Sequence, residues 1–369
     1  LLIKASKSFV KPYLSRILNV LMPRLQDNHP GVVTSVLRTL GELSEVGGTE
    51  LLPHCKSLFP LVIKVIQDQG SVMQRTVAIK TLGQLVQSTG LVVRPFLENF
   101  GLLDIIVAEL EIGQGAASPP ELRAEVIRTL GTIGAIDPYS YRGGIAGAFL
   151  ESRNIEDYKN VLNDGPRRSL QASKRRRRRL SLKQSSGNTN LISQRHSSPS
   201  KFLLPKYQQQ VLDNEGGHDN ILEDVTSPSQ SLYYPKVTIA ALIRILKDPS
   251  LHTHHRNVAQ AIMHICRATG LKSVPFLPQI VPVFLRAMHK CEHGLRKSLC
   301  QQLGYLVSIV RQHIRVYLPD IFKLVHSFWD DNCEQILALV EQLCIALKDE
   351  IKPELPHLIP LLLSVFSSR

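Results

Sequence analysis

A short helical phrase, Thr-Leu-Gly followed by a polar and an apolar residue, recurs along this chain and limits its fold more than any other feature. It is centred on Gly41, Gly83, Gly131 and, in a variant form, Gly304, and Met263 and Cys344 take the glycine position in two related phrases. Outside one long interruption, successive markers are 42, 48, 41 and 40 residues apart. A fixed period of this length predicts a stack of helical repeats, whose function is carried by an extended surface more often than by a pocket.

The length of each interval fits a helical hairpin of the HEAT or armadillo type. A second apolar helix precedes each marker helix, as in Ile17, Leu18 and Leu21, whose spacing of three and four residues places one stripe on one face. A glycine within a helix costs about 1 kcal/mol relative to alanine, so its recurrence at one register indicates that neighbouring helices approach closely there. The fold class is therefore all-α, an α-solenoid of HEAT/armadillo-like helical hairpin repeats with one long disordered insertion.

Proline and aspartate punctuate the repeats. The prolines near the expected starts of the first helices are Pro12, Pro53, Pro95, Pro275 and Pro319. Asp27, Asp68 and Asp248 fall between the two helices of a hairpin, where a short carboxylate is expected to cap the second one.

The repeats divide into two arms. Residues 1–140 and 232–369 are each predicted to hold about three repeats, the last one truncated, because the periodic pattern is confined to these ranges. Residues 141–231 are rich in Ser, Asn, Gln and Gly and lack apolar periodicity, which predicts a disordered insertion. The chain begins without methionine and ends within an expected first helix, so we expect a piece of a longer array.

The net charge of +13 is concentrated in this insertion. Residues 165–210 contain twelve Lys or Arg and no Asp or Glu, which leaves +1 for all the other residues. The repeats themselves are nearly neutral, and their composition does not favour binding to nucleic acid. No uninterrupted apolar run approaches the ~18 residues of a membrane span, so no membrane span is expected.

The insertion carries a compact basic run and several candidate phosphorylation sites. The run consists of Lys174, Arg175, Arg176, Arg177, Arg178 and Arg179. It fits a nuclear import signal, a patch for anionic lipid or RNA, or a solvated linker without a specific partner. Arg176 and Arg178 precede Ser181 by five and three residues, a spacing that basophilic kinases recognise, while Ser198 and Ser227 each precede a proline.

Motifs of catalysis are missing from the sequence. It has no P-loop, no GxSxG, no HExxH and no kinase catalytic loop. His252, His254, His255, His264 and Cys266 cluster along the chain, yet they form no complete ligand set, so we expect no metal site. The six cysteines lack close pairing and are expected to be reduced thiols of a cytosolic or nuclear protein.

Several irregular phrases resemble the HEAT-repeat region of the target of rapamycin kinases, which belong to the PI3K-related kinase family. They are residues 81–90, 134–139, 248–251 followed by His254 and His255, 276–279 and 301–308. The resemblance covers both arms and does not extend into the insertion.

This resemblance implies a segment of a large serine/threonine protein kinase, without the kinase domain and without enzymatic activity of its own. ATP and Mg²⁺ would be cofactors of the parent kinase, and none is expected in this chain. The solenoid of the family supports dimerisation and docks accessory subunits such as raptor or rictor in nutrient and growth signalling. The implied location is cytoplasmic, peripheral to lysosomal membranes through the complex, with nuclear entry left open.

Four positions are candidates for docking: Arg311, Arg315, Tyr317 and Trp329, which are polar or aromatic and are expected at exposed repeat edges. Two other functions remain open. One is an importin-like transport adaptor, although the near-neutral repeats lack the acidic inner face that basic cargo requires. The other is a nucleic-acid-binding protein that acts through the arginine-rich insertion, for which steep salt dependence is expected.

Overall fold

Paired helices make up most of the chain that the computed structural model describes, namely residues 7–68, 70–91, 96, 99, 101–110, 118–136, 225 and 230–367. Six helical pairs run in chain order: α1 (Leu14–Arg24) with α2 (Pro30–Gly47), α3 (Leu52–Gln67) with α4 (Val72–Thr89), α5 (Leu102–Ala108) with α6 (Pro120–Ala135), α7 (Tyr233–Lys247) with α8 (His252–Thr269), α9 (Leu277–Lys290) with α10 (His293–Val310), and α11 (Leu318–Ser327) with α12 (Cys333–Leu347). Helix α13 (Leu355–Ser367) follows. The described residues contain no strand, and the all-α solenoid of hairpin repeats is confirmed.

The second helices of the hairpins stack in sequence. Helix α2 packs on α4, α4 on α6, α6 on α8, α8 on α10, and α10 on α12. First helices also contact one another, as α7 does with α9 and α9 with α11. The apolar stripe of each second helix is buried between its own first helix and the neighbouring repeats, so the core is continuous along the stack.

The stack is continuous across the long interruption in the repeat pattern. Helix α6, which ends at Ala135, packs directly on α7 and α8, which begin at Tyr233 and His252. Residues 1–138 and 214–369 accordingly belong to one structural unit. The expected insertion at 141–231 lies almost wholly outside the described residues, and its disorder stays a prediction.

Marker glycines allow second helices to come close together, as their register predicts. A Cβ on Gly83 would lie 2.9 Å from Thr129 Oγ1, and one on Gly131 would lie 2.9 Å from Ala261 Cβ. Gly304 differs, because its nearest neighbour would be Gln342 Cγ at 3.8 Å, an ordinary van der Waals contact. Close approach therefore holds at Gly83 and Gly131 and is relaxed at Gly304.

The threonine of the recurring phrase joins adjacent repeats through hydrogen bonds. Thr81 Oγ1 donates to the carbonyl oxygen of Leu37 at 2.9 Å, and Thr129 Oγ1 donates to that of Ile79 at 3.2 Å. Both threonines are buried. Each bond therefore links a backbone carbonyl of one second helix to a threonine hydroxyl of the next second helix.

Replacing Thr81 with valine is expected to lower the free energy of unfolding by about 1 kcal/mol, because it removes a buried hydrogen bond while keeping the side-chain shape. The control is Thr39→Val at the same register, whose hydroxyl bonds only to Ser35 of its own helix. Urea unfolding followed by circular dichroism compares the two variants. Equal midpoints for both would show that the inter-repeat bond adds nothing to stability.

Two of the three aspartates between paired helices, Asp27 and Asp68, bond within the connecting turn and do not cap the second helix. Asp27 Oδ1 accepts from the backbone N–H of His29, and Asp68 Oδ1 from that of Gly70, both at 2.9 Å. The N-caps of α2 and α4 are instead His29 and Ser71. The predicted capping of α2 and α4 by Asp27 and Asp68 was wrong, since each carboxylate reaches the residue two positions on and closes the connecting turn. Asp248 also accepts from the N–H two positions on, that of Ser250, and there it caps the 3-10 turn Pro249–Leu251 that leads into α8.

Prolines occupy the expected positions at first helices. Pro53 and Pro319 lie in the first turns of α3 and α11, and Pro12 and Pro275 lie in the 3-10 turns that precede α1 and α9. Pro95 is outside the described residues. A missing N–H has little effect at these positions, because the first N–H groups of a helix have no partner within the helix.

Within the described ranges, one stretch is long and apolar enough to cross a membrane, Pro249–Lys290. This is a weak indication, because core helices pass the same test and 44% of the apolar window is buried inside the protein. The stretch also comprises α8, a 3-10 turn and α9, which take regular places in the stack.

Candidate docking surface

One edge of the stack is formed by the turns that lead from a second helix to the next first helix. These turns are 3-10 segments: Gly48–Leu51, Gly270–Phe276, Arg311–Tyr317 and Lys348–Glu354. In each, the first residue has a positive φ, of 53°, 58°, 53° and 51° respectively. Its backbone N–H caps the preceding helix, as Arg311 N–H does on the carbonyl of Val307. We call this edge the turn edge.

Glycine fits the first position of these turns, and two of them carry a basic residue instead. Arg311 and Lys348 are the non-glycine residues with positive φ among those that the structure describes. Such a conformation costs roughly 1–3 kcal/mol for a side chain with a Cβ. The surrounding helices hold both residues in this strained state, and both side chains are exposed.

Two other cations on this part of the turn edge are paired. Arg315 Nη1 lies 3.9 Å from Glu350 Oε2 and joins the two adjacent turns, while Lys352 Nζ lies 2.9 Å from Asp349 Oδ1 of its own turn. Arg311 and Lys348 make no ion pair with any residue in the described ranges. The two strained positions therefore carry the available cations.

The four docking candidates do not form one surface. Arg311, Arg315 and Tyr317 share one turn, and the first two are exposed while Tyr317 is half-buried. Burial raises the pKa of the Tyr317 hydroxyl above its usual value. Trp329 lies beyond the other end of α11 and is 4% exposed. The expectation that Trp329 is exposed was wrong, because its side chain is buried in the core.

Two further residues of the turn edge were missed from the sequence. Val316 is 74% exposed between Arg315 and Tyr317, and Lys348 matches Arg311 in the next repeat. Aligning the residues that follow each second helix would have found Lys348, because Gly48 and Gly270 occupy the same position in two of the other turns. No sequence signal separates Val316 from a core valine.

The opposite edge, between the two helices of a hairpin, has a structural role. Arg296 donates from Nε to the carbonyl of Met288 at 3.0 Å and from Nη2 to that of Cys291 at 2.9 Å. Its guanidinium carbon lies 3.7 Å from the centroid of the Phe328 ring in the next repeat. Arg75 occupies the same register in α4 and pairs with Glu109 of the following repeat. The buried Arg296 and the half-buried Arg75 thus hold adjacent hairpins together.

The first three members of the histidine cluster, His252, His254 and His255, lie at the start of α8 on the same edge. His255 Nε2 lies 3.0 Å from the carbonyl of Ile245 and 2.9 Å from that of Asp248, at the end of α7. Burial, with Arg123 and His255 nearby, lowers the pKa of His254. No group of three potential metal ligands occurs in the described ranges. His255 thus caps the end of α7, and His254 is buried beside it as a packing residue.

Two buried thiols and one small cavity are further candidates for a chemical site in the described ranges. Burial raises the thiol pKa of Cys266 and of Cys300 to about 12, which disfavours the nucleophilic thiolate. A cavity of about 260 Å³ beside Ile66 and Ile105 is lined on one side by the Arg75–Glu109 pair. Ligand pockets usually measure about 300–1,000 Å³, so this cavity is small for a substrate site.

Comparison with known proteins assigns the chain to a family. A family profile described as "Serine/threonine-protein kinase mTOR domain" matches residues 92–311, more than half of the chain. The chain belongs to the mTOR domain family. The match of this mTOR-domain chain runs from residue 92 to Arg311, and so crosses the junction between α6 and α8.

Curated relatives of this mTOR-domain chain are target of rapamycin kinases. It is 34% identical to the serine/threonine-protein kinase mTor of Drosophila melanogaster over 99% of its length, and 32% identical to tor1 of Schizosaccharomyces pombe over 100% of its length. It spans 13% of the length of each of these relatives. The resemblance noted in the sequence is thus confirmed for the family.

Solved structures support the fold of the mTOR-domain chain. Importin beta superposes on 97% of this chain and 35% of its own chain, with a TM-score of 0.51 and 10% identity. At this identity the likeness shows a shared helical-repeat fold and carries no information on transport.

The basic run at residues 174–179 and the serines 181, 198 and 227 lie outside the described residues. Their proposed roles as an import signal or as phosphorylation sites stay predictions.

Proposed function

We propose that this chain is a scaffold segment of a target of rapamycin kinase, and that its repeats provide surface for dimerisation and for accessory subunits of the raptor or rictor type. The observation that carries the proposal is the continuous stack of second helices across α6 and α8 in a chain that belongs to the mTOR domain family. Phosphoryl transfer with ATP and Mg²⁺ would belong to other parts of such a kinase.

A stacked array suits this role physically. Each repeat contacts only its neighbours, so the turn edge and the outer helix faces remain accessible along the array. A stable interface of this kind buries on the order of 1,600 Å² in total, which several consecutive repeats can supply. The exposed side chains of α10, α12 and their turns, including Tyr305, Val316 and Ile345, offer apolar area in addition to charge.

The test is capture of purified raptor-like and rictor-like subunits on the 369-residue chain, compared with a chain in which a Gly-Ser linker replaces residues 141–224. Val225 is retained because it is buried and its carbonyl accepts from Lys236 Nζ. Both chains are measured at two salt concentrations, and circular dichroism checks that they fold.

We expect both chains to capture at least one subunit at both salt concentrations, since the repeats carry the surface. Capture that requires the insertion and disappears at high salt would favour binding through the basic run instead. Failure of the folded chain to capture either subunit, together with a monomeric mass in sedimentation, would overturn the scaffold proposal.

A further inference from the structure

We propose that Arg311 and Lys348 form a docking site on the turn edge for an acidic segment of a partner protein. The inference rests on the proposed scaffold function and specifies the chemistry of one of its partners. The site combines two strained backbones with two unpaired cations in consecutive repeats.

Strain is the first observation. Glycine occupies the corresponding position at Gly48, Gly90 and Gly270, where positive φ is tolerated without a Cβ. Arg311 and Lys348 accept an unfavourable backbone at a position where glycine would be more stable. Strained residues concentrate at functional sites, because there the side chain is needed despite the loss of stability.

Charge is the second observation. The exposed cations next to these two residues, Arg315 and Lys352, already have carboxylate partners. Arg311 and Lys348 remain available, and each is the first residue of its turn. An incoming carboxylate can therefore pair with them without breaking an existing ion pair.

Spacing defines the ligand further. Helices α10 and α12 pack directly, which puts equivalent positions about 10 Å apart. An extended peptide covers this distance in about three residues. The fitting segment is thus extended and carries two acidic side chains about three positions apart, and exposed Val316 can contact an apolar residue beside them.

An anionic membrane fits this site less well. Lipid recognition usually uses clusters of about 4–8 basic residues, whereas Arg311 and Lys348 provide two cations without an ion-pair partner in the described ranges.

The test compares the full chain with Arg311→Gly/Lys348→Gly. All proteins carry Gln at the twelve basic positions between residues 165 and 210, so that the insertion does not dominate binding. The control is Arg286→Gln/Lys290→Gln, which removes the same charge from exposed positions on α9. The first probe is a polyglutamate resin, and the readout is the salt concentration at elution.

We expect the glycine variant to elute at lower salt than both the parent and the control, with apparent affinity lower by about tenfold. Its Tm is expected to rise by about 2 °C, because strain is relieved. A loss of binding together with a gain in stability excludes unfolding as the cause. Elution of the glycine variant at the same salt concentration as the control would overturn the proposal.

The second probe is the accessory subunit captured in the preceding experiment, and it separates failure of the site from failure of the scaffold function. Equal capture by parent and glycine variant would overturn the docking site and leave the scaffold proposal intact. Co-sedimentation with phosphatidylserine vesicles is the third arm. Vesicle binding that depends on Arg311 and Lys348 and exceeds polyglutamate binding would overturn the acidic segment in favour of a membrane.

Discussion

Replacing Gly134 with alanine is expected to lower the free energy of unfolding by about 2 kcal/mol, because the added methyl group has no space. An ideal Cβ on Gly134 would collide with Thr238 Oγ1 and lie 2.7 Å from Ile265 Cδ1. Both neighbours are fully buried, and the hydroxyl of Thr238 is held by a 2.7 Å hydrogen bond to the carbonyl of Tyr234. The favourable helix propensity of alanine, at most about 1 kcal/mol, does not offset this overlap.

The matched control is Gly304→Ala in α10, where the nearest atom would be 3.8 Å from the new Cβ. This variant is expected to unfold at the same or a slightly higher urea concentration, because propensity improves without a clash. Both are measured by urea unfolding with circular dichroism. A Gly134 variant as stable as the Gly304 variant would show that α6 does not pack on α7 and α8 as closely as described.

Replacing Arg296 with alanine is expected to lower the free energy of unfolding by about 3 kcal/mol. The substitution removes two hydrogen bonds to carbonyls near the end of α9, on Met288 and Cys291. It also removes the stacking on Phe328 and a 3.6 Å contact with Asp331 Oδ2. The carbonyls lose charged donors in a largely buried place, where replacement by water is restricted.

Two further variants identify the source of the effect of Arg296. Arg296→Lys keeps the charge but loses the planar fork, and an intermediate loss is expected. Arg286→Ala removes an exposed arginine of α9 and is expected to change stability by less than about 0.5 kcal/mol. Thermal unfolding of the three variants gives the order of their stabilities. If Arg296→Ala and Arg286→Ala unfolded at the same temperature, the hydrogen bonds of Arg296 would have no stabilising role.

The sequence predicts the repeat architecture well because its signal is repeated. Gly83 and Gly131 mark close contacts between neighbouring second helices, and Gly41 takes the same place in its phrase, so the register emerges from three copies. The same register correctly predicted the positions of α8 and α12, even though Met263 and Cys344 replace glycine there.

The docking surface is predicted less well, because exposure depends on the helix above and below each residue. Arg296 and Arg311 are the same residue type in or next to the same helix, yet one is buried against Phe328 and the other is exposed at a strained turn. Trp329 illustrates the same difficulty. Its position after a first helix suggests an exposed edge, while tertiary packing buries the ring.

The direct packing of α6 on α8 also bears on the order in which the chain folds. Gly83 and Thr129, which meet within the first arm, are 46 residues apart, whereas Gly131 and Ala261 are separated by 130. Contacts that close long loops form late and slow folding. Each arm is therefore expected to assemble locally before the two join at α6 and α8. Since closure entropy grows only with the logarithm of loop length, the intervening segment can change greatly in length with little effect on the final stability.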